Sequence, residues 1–561
     1  MKQLSFFFFI GNILFLVCCV SCGTKKSLKD LPDVSSYNKN IPPRKKINDS
    51  TYHAGNNFLT KNEQGQWELY VEGDPLERGL LMGSLTQELI ETQERTFLTK
   101  IDDLVPPGTW QSFLRQFLKW YNRKMYLHVT PEYKSEIYGV SQYVSKEYEH
   151  LAPSYLRVLY MHGAHDIGHA LQDLALVGCS SFAAWGDKTD DGELIIARNF
   201  DFYAGDEFAE QKIIAFINPE KGHPYMSVTW GGFTGVASGM NLEGLTVTIN
   251  ASKSKIPLIA KTPISLLSKE ILQYASTIEE DIAIAKKREV FVSESIMVGS
   301  AKDGKAILIE VSPKNFGVYE VVNTNQLVCS NHFQSEVYAD DKRNEKAITE
   351  SHSLYRFERM NEILQEDKGK ITVTDAVALL RNREGKDDTS IGFGNEKALN
   401  QLLAHHGIVF KPEQKKVWVS SNPYQIGAFV AYDLDEVFAN RDGNPQTETL
   451  AQKGLLIPED PFLYTQTYKD YEAYRVLERT LEAALENDTD VSETFLEKVQ
   501  TKNPDYWKAH YLTGRYYYKH KEYKKALAAF KISETKEITT LPDQESVAKY
   551  IKKATRKSRR N

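Results

Sequence analysis

A cysteine that directly follows a glycine is the residue of this chain with the clearest capacity for chemistry. Cys179 lies in the run Val177-Gly178-Cys179-Ser180-Ser181-Phe182, and nineteen residues after it the chain reads Arg198-Asn199-Phe200-Asp201. If the backbone breaks between Gly178 and Cys179, one residue gains both a thiol and a free α-amine. Such an amine, with an unperturbed pKa of about 7.7–8.0, can act as general base for the thiol beside it. The sequence therefore predicts a self-processing amidohydrolase whose nucleophile is Cys179.

The charged residues of the second run suit a thiol nucleophile. Cationic neighbours lower the pKa of a thiol below its free value of about 8.5, and Arg198 carries a permanent positive charge. Asp201 can orient the amine of Cys179. The spacing, however, places Arg198 and Asp201 on opposite faces of a strand. The residues alone therefore also allow a buried structural thiol and a structural ion pair.

A group of histidines before the cysteine has a spacing that aligns side chains on a helix. His162, His165 and His169 stand at positions i, i+3 and i+7, with Asp166 among them. Such a face can bind a metal, but two glycines within the segment weaken the helix. We expect hydrogen-bonded histidines close to the proposed cut, with no metal and no other cofactor.

The first residues resemble a bacterial lipoprotein signal. Lys2 is followed by the apolar run 6–20 and by Ser21-Cys22; removal of residues 1–21 would leave a lipidated cysteine at the new N-terminus. The alternative is an uncleaved anchor, but the run is shorter than the roughly 20 apolar residues of a spanning helix. We expect an exported protein held through Cys22 on a bacterial envelope membrane, and Gly23 favours the outer membrane.

Composition indicates the state of the cysteines and the kinds of partner the protein could bind. Three of the five cysteines lie in the signal and at the lipidated position Cys22, so Cys179 and Cys329 are expected to be free thiols and not a disulfide framework. A net charge of −6 over 561 residues gives no indication of a nucleic-acid partner or of an acidic partner. The basic tail 552–560 is either solvated or attracted to anionic lipid headgroups.

Changes of composition divide the rest of the chain into four segments. Residues 22–57 are rich in Lys, Asp, Ser and Pro and predict a flexible tether. Residues 58–178 predict a mostly helical prosegment, which would become the α chain after the cut. Residues 179–459 predict a β chain in which strands, helices and strands follow one another. Residues 460–561 predict a helical C-terminal region.

Periodicity locates the elements within these segments. Strands are predicted at 67–71, 194–197, 213–217, 227–230, 306–311, 408–410, 417–419 and 428–431. Helices are predicted at 80–90, 110–127, 153–170, 264–287, 353–364, 373–380 and 396–403. A hairpin is predicted from strands 235–240 and 245–250, whose four-residue loop requires a positive φ at Gly244.

The C-terminal region has features of a tetratricopeptide repeat. Gly514, Tyr517, Ala526 and Phe530 occupy the offsets at which such a repeat places its packing residues. One repeat cannot bury its own face, so an ordinary helical hairpin on the enzyme is the alternative. As a repeat-like appendage the region offers a surface for a protein partner. Its removal after about Asp460 is then expected to leave turnover intact.

Several segments, in one order along the chain, resemble the acyl-coenzyme A:6-aminopenicillanic acid acyltransferase family, which are cysteine members of the N-terminal nucleophile (Ntn) hydrolases. Together with the two runs around Cys179 and Asp201 they cover about residues 69–433. The further segments are Glu72-Gly73-Asp74-Pro75-Leu76-Glu77-Arg78-Gly79 with Gly83, Ser330-Asn331-His332-Phe333, Ser353-Leu354-Tyr355-Arg356-Phe357-Glu358-Arg359, and His406-Gly407-Ile408-Val409-Phe410 through Val417-Trp418-Val419-Ser420.

The resemblance implies an α+β fold, namely a four-layer αββα sandwich with the nucleophile at the start of a central strand. It implies autoproteolysis between Gly178 and Cys179 into an α and a β chain that stay associated. Arg198 and Asp201 would then share a site with the cysteine.

The same resemblance implies donors for an oxyanion. Asn331 matches the side-chain donor of the family, and the region of Asn250 with the backbone N–H of Ala251 is the candidate for the second donor. A turn asparagine is the alternative for Asn331. Arg356 and Arg359 lie one helical turn apart, so one is expected to face the cleft and the other solvent.

The predicted signal and the C-terminal region depart from the fungal acyltransferase pattern. An exported enzyme meets little coenzyme A thioester, so we expect hydrolysis of a linear amide bond in an N-acylated small molecule or peptide, through an acyl-thioester intermediate. N-acyl amino acids, acylated peptides, β-lactam side chains and bile-acid conjugates all fit. The alternatives are a phospholipase B-like or ceramidase-like lipid hydrolase of the same superfamily and a non-catalytic, lipid-anchored interaction protein.

Overall fold

The computed structural model describes residues 24, 26–104, 108–163, 166, 177–203, 205–254, 259–366, 370–439 and 449–559. The predicted signal 1–21, Cys22, and the two histidines His165 and His169 lie outside the described residues. Among the helices that are described, none combines the length and the apolar character that crossing a membrane requires.

The described ranges contain both strands and helices. The strands are β1 (Lys45–Asn48), β2 (Thr51–Ala54), β3 (Asn57–Lys61), β4 (Trp67–Gly73), β5 (Val177–Ala184), β6 (Ile195–Phe202), β7 (Ile213–Pro219), β8 (Tyr225–Thr229), β9 (Ser238–Asn241), β10 (Leu245–Ala251), β11 (Glu294–Ser300), β12 (Lys305–Val311), β13 (Phe316–Tyr319), β14 (Gln326–Cys329), β15 (His406–Lys411), β16 (Lys416–Ser420) and β17 (Phe429–Asp433). The helices are α1 (Pro75–Leu85), α2 (Gln87–Leu104), α3 (Thr109–Tyr121), α4 (Pro131–Ser141), α5 (Ser154–His162), α6 (Asp206–Glu210), α7 (Ile264–Tyr274), α8 (Ile278–Lys286), α9 (Lys342–Glu350), α10 (Ser353–Glu366), α11 (Val373–Leu380), α12 (Leu434–Phe438), α13 (Gln466–Asn487), α14 (Glu493–Lys502), α15 (Trp507–Lys519), α16 (Tyr523–Glu534) and α17 (Leu541–Ser558).

The strands form a large sheet and a small sheet. The large sheet has the order β1-β2-β3-β4-β7-β8-β9-β10-β11-β12-β13, and the small sheet has the order β14-β5-β6-β15-β16-β17. Neighbours pair antiparallel except β4 and β7, which run parallel from Trp67 opposite Ile213 to Gly73 opposite Pro219. The segment before Cys179 thus supplies four strands at one end of the large sheet.

Apolar side chains fill the space between the sheets. Phe216 and Met226 of the large sheet cluster there with Ile196 and Val419 of the small sheet. Because side chains alternate along a strand, the other face of each sheet also needs a cover. The alternate residues of the small sheet, such as Phe182, therefore face away from the large sheet.

Helices provide that cover on both outer faces. Met360 of α10 and Val377 of α11 pack with Phe182 of the small sheet. Leu81 of α1 and Leu159 of α5 belong to the cluster that covers the outer face of the large sheet. The described residues thus form a mixed α/β fold with one apolar cluster between the sheets and one on each outer face.

Two contacts explain the residue types at the start of α1 and in the turn before it. Asp74 caps the helix, since its carboxylate accepts a 2.9 Å hydrogen bond from the backbone N–H of Glu77, and Pro75 follows at the first turn. A methyl group on Gly79 would lie 2.0 Å from the backbone oxygen of Glu136. Only glycine allows α1 and α4 to approach so closely.

The predicted tether ends earlier than its composition suggests. β1 and β2 lie within residues 45–54, and Val34 is already buried. Neither strand shows a strong apolar alternation, because polar pairs contribute: the hydroxyls of Thr51 and Thr60 on neighbouring strands are 3.0 Å apart. Residues 45–57 therefore belong to the sheet and not to a tether.

Several helix predictions need correction. The predicted helix 80–90 is the end of α1 and the start of α2, and the predicted helix 110–127 ends at Tyr121. The predicted helix 264–287 is two helices, α7 and α8, and Thr277 caps the second. The predicted helix 396–403 does not form. There the side chains of Asn395 and Asn400 accept hydrogen bonds from the backbone N–H of Lys397 and of Leu402, which competes with helical pairing. The predicted hairpin is confirmed, with φ of 76° at Gly244.

The C-terminal helices α13–α17 pack on the rest of the chain. A methyl group on Gly514 would lie 2.6 Å from the ring of Phe530, so α15 and α16 are in close contact at the predicted residues. The same apolar cluster also includes Leu402 and Ile426, which precede the C-terminal region. The region therefore shares a core with the segment that precedes it.

Candidate active site

Cys179 is the third residue of β5, next to the middle of the small sheet, and its side chain is fully buried. The described cysteines Cys179 and Cys329 are both free, as the sequence predicted. The backbone nitrogen, the backbone oxygen and the sulfur of Cys179 each contact a different polar side chain. The residue is thus held on three sides within an intact peptide chain.

Arg198 is the side chain that contacts the sulfur. Its Nη2 lies 3.5 Å from Sγ of Cys179, and its Nη1 donates to the backbone oxygen of Ala237 at 2.9 Å and to Oγ of Ser238. Nη2 also donates to the backbone oxygen of Ile249. Since Ala237, Ser238 and Ile249 belong to the large sheet or its approach, Arg198 bridges the two sheets beside the thiol.

Asp201 lies on the other face of the same strand. In the register of β5 and β6, Ser181 is opposite Arg198 and Gly178 is opposite Asp201, which confirms the predicted opposite faces. The carboxylate is buried, and neither of its oxygens has a hydrogen-bond partner among the described residues. Burial raises the pKa of Asp201 to about 7, although the guanidinium groups of Arg356 and Arg198 oppose that rise.

Asn331 and Arg356 hold the backbone of the cysteine. Oδ1 of Asn331 accepts a 3.0 Å hydrogen bond from the backbone N–H of Cys179 and a second one from Nη2 of Arg356. Nη1 of Arg356 donates to the backbone oxygen of Cys179 at 2.6 Å and to Oγ of Ser180 at 2.8 Å. The structure thus brings the predicted asparagine and arginine together at the residue they were predicted to serve.

The second arginine of α10 is not exposed. Arg359 is 1% exposed and pairs with Glu362 at 3.2 Å and with Asp388. The expectation that one of the two arginines faces solvent is therefore wrong. Both are buried, Arg356 at the cysteine and Arg359 in an ion pair on the outer side of the helix.

Asn250 and Ala251 lie close by on β10. Oδ1 of Asn250 accepts a 2.8 Å hydrogen bond from the hydroxyl of Ser181, and its amide group donates to the backbone oxygens of Cys329 and Ser330. The backbone oxygen of Ala251 accepts a 2.8 Å hydrogen bond from Nδ2 of Asn331. In the intact chain, both side-chain amides are therefore occupied by protein partners.

The thiol is not activated in this state. Burial raises the pKa of Cys179 more than the positive charge of Arg198 lowers it, and the carboxyl groups of Asp201 and Glu294 raise it further. The expected depression of the thiol pKa is thus absent while the chain is intact. Cleavage before Cys179 would add an amine at this position and change that balance.

Some residues of the site carry no sequence signal. Oγ of Ser238 accepts from Arg198 and lies 2.9 Å from Nε2 of His406. Gln401 lies against Gly178 on the helix-covered face of the small sheet. Serine and glutamine are common in turns and loops, so only the fold identifies these two. His406 stands in a segment that the resemblance includes, but without an assigned role.

Of the three predicted histidines, His162 lies within the described residues. Nδ1 of His162 lies 2.8 Å from the backbone oxygen of Val158, and Nε2 lies 3.0 Å from the hydroxyl of Thr234. Both nitrogens thus have protein partners, and burial lowers the pKa of His162 to about 4. Across the described ranges, which omit His165 and His169, no three His, Cys, Asp or Glu side chains group as metal ligands do.

One known protein is similar in sequence to about half of this chain. A protein of Archaeoglobus fulgidus described as uncharacterized is 24% identical over 285 residues, which are 46% of this chain and 46% of that protein. The chain thus spans about half the length of this relative.

Two solved structures have similar regions. One is the Caenorhabditis elegans ortholog of N-acylethanolamine-hydrolyzing acid amidase, with 18% identity, 42% of this chain and 93% of that chain covered, and a TM-score of 0.31. The other is the conjugated bile acid hydrolase of Clostridium perfringens in a mutant form, with 16% identity, 47% of this chain and 94% of that chain covered, and a TM-score of 0.32.

The family comparison covers most of the site. The matched residues are 187–422, which include Arg198, Asp201, Asn331 and Arg356 and begin eight residues after Cys179. The resemblance predicted from the sequence is confirmed: over residues 187–422 this chain matches the acyl-coenzyme A:6-aminopenicillanic acid acyl-transferase family.

Proposed function

We propose that the protein is a cysteine amidohydrolase that activates itself by cutting its own chain between Gly178 and Cys179. The proposal rests on one observation, which is that three side chains hold the sulfur, nitrogen and oxygen of Cys179. Arg198 contacts the sulfur, Asn331 the backbone nitrogen and Arg356 the backbone oxygen. Such control of a single peptide unit suits a residue that must first break its own amide bond and then act as nucleophile.

Processing begins with attack by Sγ of Cys179 on the carbonyl carbon of Gly178. The C–N bond to Cys179 breaks, the nitrogen takes the proton of the thiol, and the acyl group is left on sulfur as a thioester. Water then attacks the thioester, which releases the carboxylate of Gly178 and restores the thiol. We propose that Asp201, which is paired with Gly178 in the register of β5 and β6, orients the new α-amine of Cys179 once the peptide bond is broken.

The processed enzyme would use the same sulfur on a substrate amide. The new α-amine of Cys179 takes the thiol proton and passes it to the leaving amine of the substrate, while the acyl group is held on sulfur until water removes it. Asn331 is the proposed donor to the oxyanion, with the backbone N–H of Ala251 as the second. Nδ2 of Asn331 must leave the backbone oxygen of Ala251 to do so, which the loss of the peptide at Cys179 makes possible.

We propose hydrolysis of a linear amide bond in an N-acylated small molecule or peptide as the reaction, with transfer of the acyl group to another amine as a minor outcome. Water is the acceptor that any exported enzyme meets at high concentration.

The arrangement of two facing sheets with helices on both outer faces supports the four-layer αββα order. The contact between Gly514 and Phe530 supports a repeat-like helical pair. We also propose that a lipid on Cys22 anchors the protein to a membrane.

The test starts with the full chain purified in mild detergent. Intact mass and N-terminal sequencing should find a larger fragment that begins at Cys179, and Cys179→Ala should remain one chain. The processed protein should release the acyl group from members of a panel of N-acyl amino acids and acylated peptides. A panel with phospholipids and ceramide added would reveal a lipid hydrolase. Turnover by a chain whose Gly178–Cys179 bond is intact would refute the proposal.

A further inference from the structure

Gln401 is a buried amide at the bond that the proposed function breaks. Its side chain is 2% exposed, and Nε2 has no hydrogen-bond partner among the described residues. A methyl group built on Gly178 would lie 2.7 Å from Nε2 of Gln401 and 3.3 Å from its Oε1. The amide therefore lies directly against the Cα of Gly178. A buried N–H without a partner destabilises the fold, so its retention calls for a reason.

The side of the strand on which Gln401 lies matters for the chemistry. Side chains alternate along β5, so a side chain on Gly178 would point away from the face that carries Sγ of Cys179. Sulfur approaches the carbonyl carbon of Gly178 from the face between the sheets. As that carbon becomes tetrahedral, its oxygen tilts away from the incoming sulfur. The oxygen thus moves toward the face on which Gln401 lies.

The segment that carries Gln401 is held by the C-terminal helices. Asn503 pairs with the backbone of Phe393 in both directions, accepting at 3.1 Å and donating at 2.8 Å. A methyl group on Gly392, whose φ is 80°, would lie 2.4 Å from the Cα of Tyr506. The amide of Asn395 donates to the backbone oxygen of Glu537 at 2.9 Å. Residues 391–395 are therefore fixed to the C-terminal region.

The other side of the same segment contacts the catalytic strands. Nδ2 of Asn199 on β6 donates to the backbone oxygen of Leu399 at 2.9 Å. The backbone N–H of His405 donates to the backbone oxygen of Phe200 at 2.8 Å. Leu402 belongs to the apolar cluster of the C-terminal helices. Gln401 is thus positioned between two bodies, the small sheet and the C-terminal region.

We propose that Gln401 donates its side-chain N–H to the carbonyl oxygen of Gly178 as that oxygen becomes an oxyanion, and that the C-terminal helices hold Gln401 there. The inference rests on the proposed self-cleavage, because without it the oxyanion does not form. It assigns to the C-terminal region a positioning part in processing, distinct from binding a partner.

The direct test compares Gln401→Met with the unchanged chain during cell-free synthesis of the full protein. Methionine keeps the volume of glutamine and removes the donor. Loss of one oxyanion donor typically slows a reaction by about 10²–10³-fold, so the uncut chain should persist correspondingly longer on a denaturing gel. Gln66→Met is the matched control, since Gln66 is 1% exposed and its amide donates to the backbone oxygens of Val419 and Ser420 away from the cut. It should lower the melting temperature and leave the rate of cutting unchanged.

A second variant tests the positioning by the C-terminal helices. Asn503→Ala removes both hydrogen bonds to Phe393 and should slow cutting by at least about 10-fold, because small displacements of a donor are costly. In the Gln401→Met background the same change should alter the rate by less than about twofold, because the two residues act through one contact. Equal effects of Asn503→Ala in both backgrounds would overturn the positioning claim.

The outcomes separate this inference from the proposed function. If the unchanged chain is never cut, the proposed function fails. If it is cut and Gln401→Met is cut at the same rate, the proposed function stands and the role of Gln401 is refuted. Added hydroxylamine cleaves thioesters, so it should not restore cutting of Gln401→Met, in which the first attack is slow. Full restoration would place Gln401 after the thioester and would also refute the role.

Discussion

The side-chain oxygen of Asn331 accepts a hydrogen bond from the backbone N–H of Cys179 across 3.0 Å, although 152 positions separate the two residues in the sequence. This nitrogen is the atom that the proposed cut turns from an amide into an amine. Asn331 therefore holds the future general base before that base exists. The same side chain donates through Nδ2 to Ala251, so its two ends can be tested separately.

Replacement of Asn331 by aspartate should separate processing from turnover. In Asn331→Asp an oxygen still accepts from Cys179, but the donor at Nδ2 is lost. We expect the chain to be cut, and kcat for an acyl amide to fall by about 10²–10³-fold. Asn344→Asp is the control, because Asn344 of α9 is also buried and exchanges hydrogen bonds with the backbone of Phe333, two residues after Asn331. A normal kcat in Asn331→Asp would remove Asn331 as oxyanion donor.

The guanidinium of Arg198 should not be replaceable by an ammonium group. A lysine nitrogen cannot reach Sγ of Cys179 and the backbone oxygens of Ala237 and Ile249 at the same time. We expect Arg198→Lys to raise the pH at which Cys179 of the processed enzyme is half alkylated by iodoacetamide. Each buried carbonyl left without a donor should also destabilise the fold by about 1–3 kcal/mol.

The matched control for that experiment is Arg359→Lys, on the same helix as Arg356 but paired with Asp388. It should lower stability and leave the alkylation profile unchanged. An unchanged profile in Arg198→Lys would mean that the contact with sulfur has no electrostatic effect on the thiol.

The pKa of Asp201 predicts a pH dependence of stability in the uncut chain. Because the folded-state pKa is raised to about 7, the stability contributed by the protonated carboxyl is fully present below the ordinary value of 3.8 and is lost as the pH rises through 7. In Cys179→Ala, the free energy of unfolding should therefore decrease between pH 4 and 7, by no more than about 1.4 kcal/mol per pH unit from this group. Addition of Asp201→Asn should make the decrease shallower, as urea titrations at each pH can measure. Parallel curves for the two proteins would contradict the assignment.

A buried charge cluster should hold the two chains together after the cut. Nζ of Lys269 lies 2.5 Å from Oε1 of Glu136, and Oε2 of Glu136 accepts from Arg78 at 3.0 Å. Glu136 and Arg78 precede the cut and Lys269 follows it. Breaking a buried ion pair costs about 3–5 kcal/mol, so Lys269→Met should lower the urea concentration at which the fragments separate in size-exclusion chromatography. Lys302→Met removes an exposed pair with Glu243 and should leave that concentration nearly unchanged.

Removal of the C-terminal region should abolish processing. The sequence predicts an appendage that can be deleted, but Leu402, Tyr424 and Ile426 share an apolar cluster with the C-terminal helices. Nη2 of Arg475 also donates to Asp206, five residues after Asp201, at 2.6 Å. A chain that ends at Asp460 should therefore expose a core and remain uncut or insoluble. Normal turnover by that chain would show that the interface is dispensable.

The sequence predicts well those elements that carry strong periodicity or turn chemistry. The helix 373–380 is found with the same bounds, and the hairpin with Gly244 is found where its loop was placed. The residues around Cys179 could be named because they stand in ordered motifs. The contact of Arg198 with Cys179 then depends on the pairing of β5 with β6, and the contacts of Asn331 and Arg356 depend on the loop after β14 and on α10. Local pattern alone reveals none of them.

Other features depend on tertiary structure and have no local signal. β1 and β2 are polar strands at the end of a large sheet, so their composition resembles that of a linker. Gln401 lies in a segment whose periodicity favours a helix, whereas asparagine side chains bind the backbone there instead. The raised pKa of Cys179 results from burial, which no tetrapeptide reveals.

The parallel pair of β4 and β7 has a consequence for the lifetime of the processed protein. The connection between these strands contains the proposed cut, so the uncut protein refolds as a single molecule, whereas the cut protein refolds only when two separate polypeptides meet. Refolding after the cut is therefore second order and slows on dilution, while refolding before it is independent of concentration. Heat inactivation of the mature form at low concentration is accordingly a one-way event, set by how fast the sheet opens.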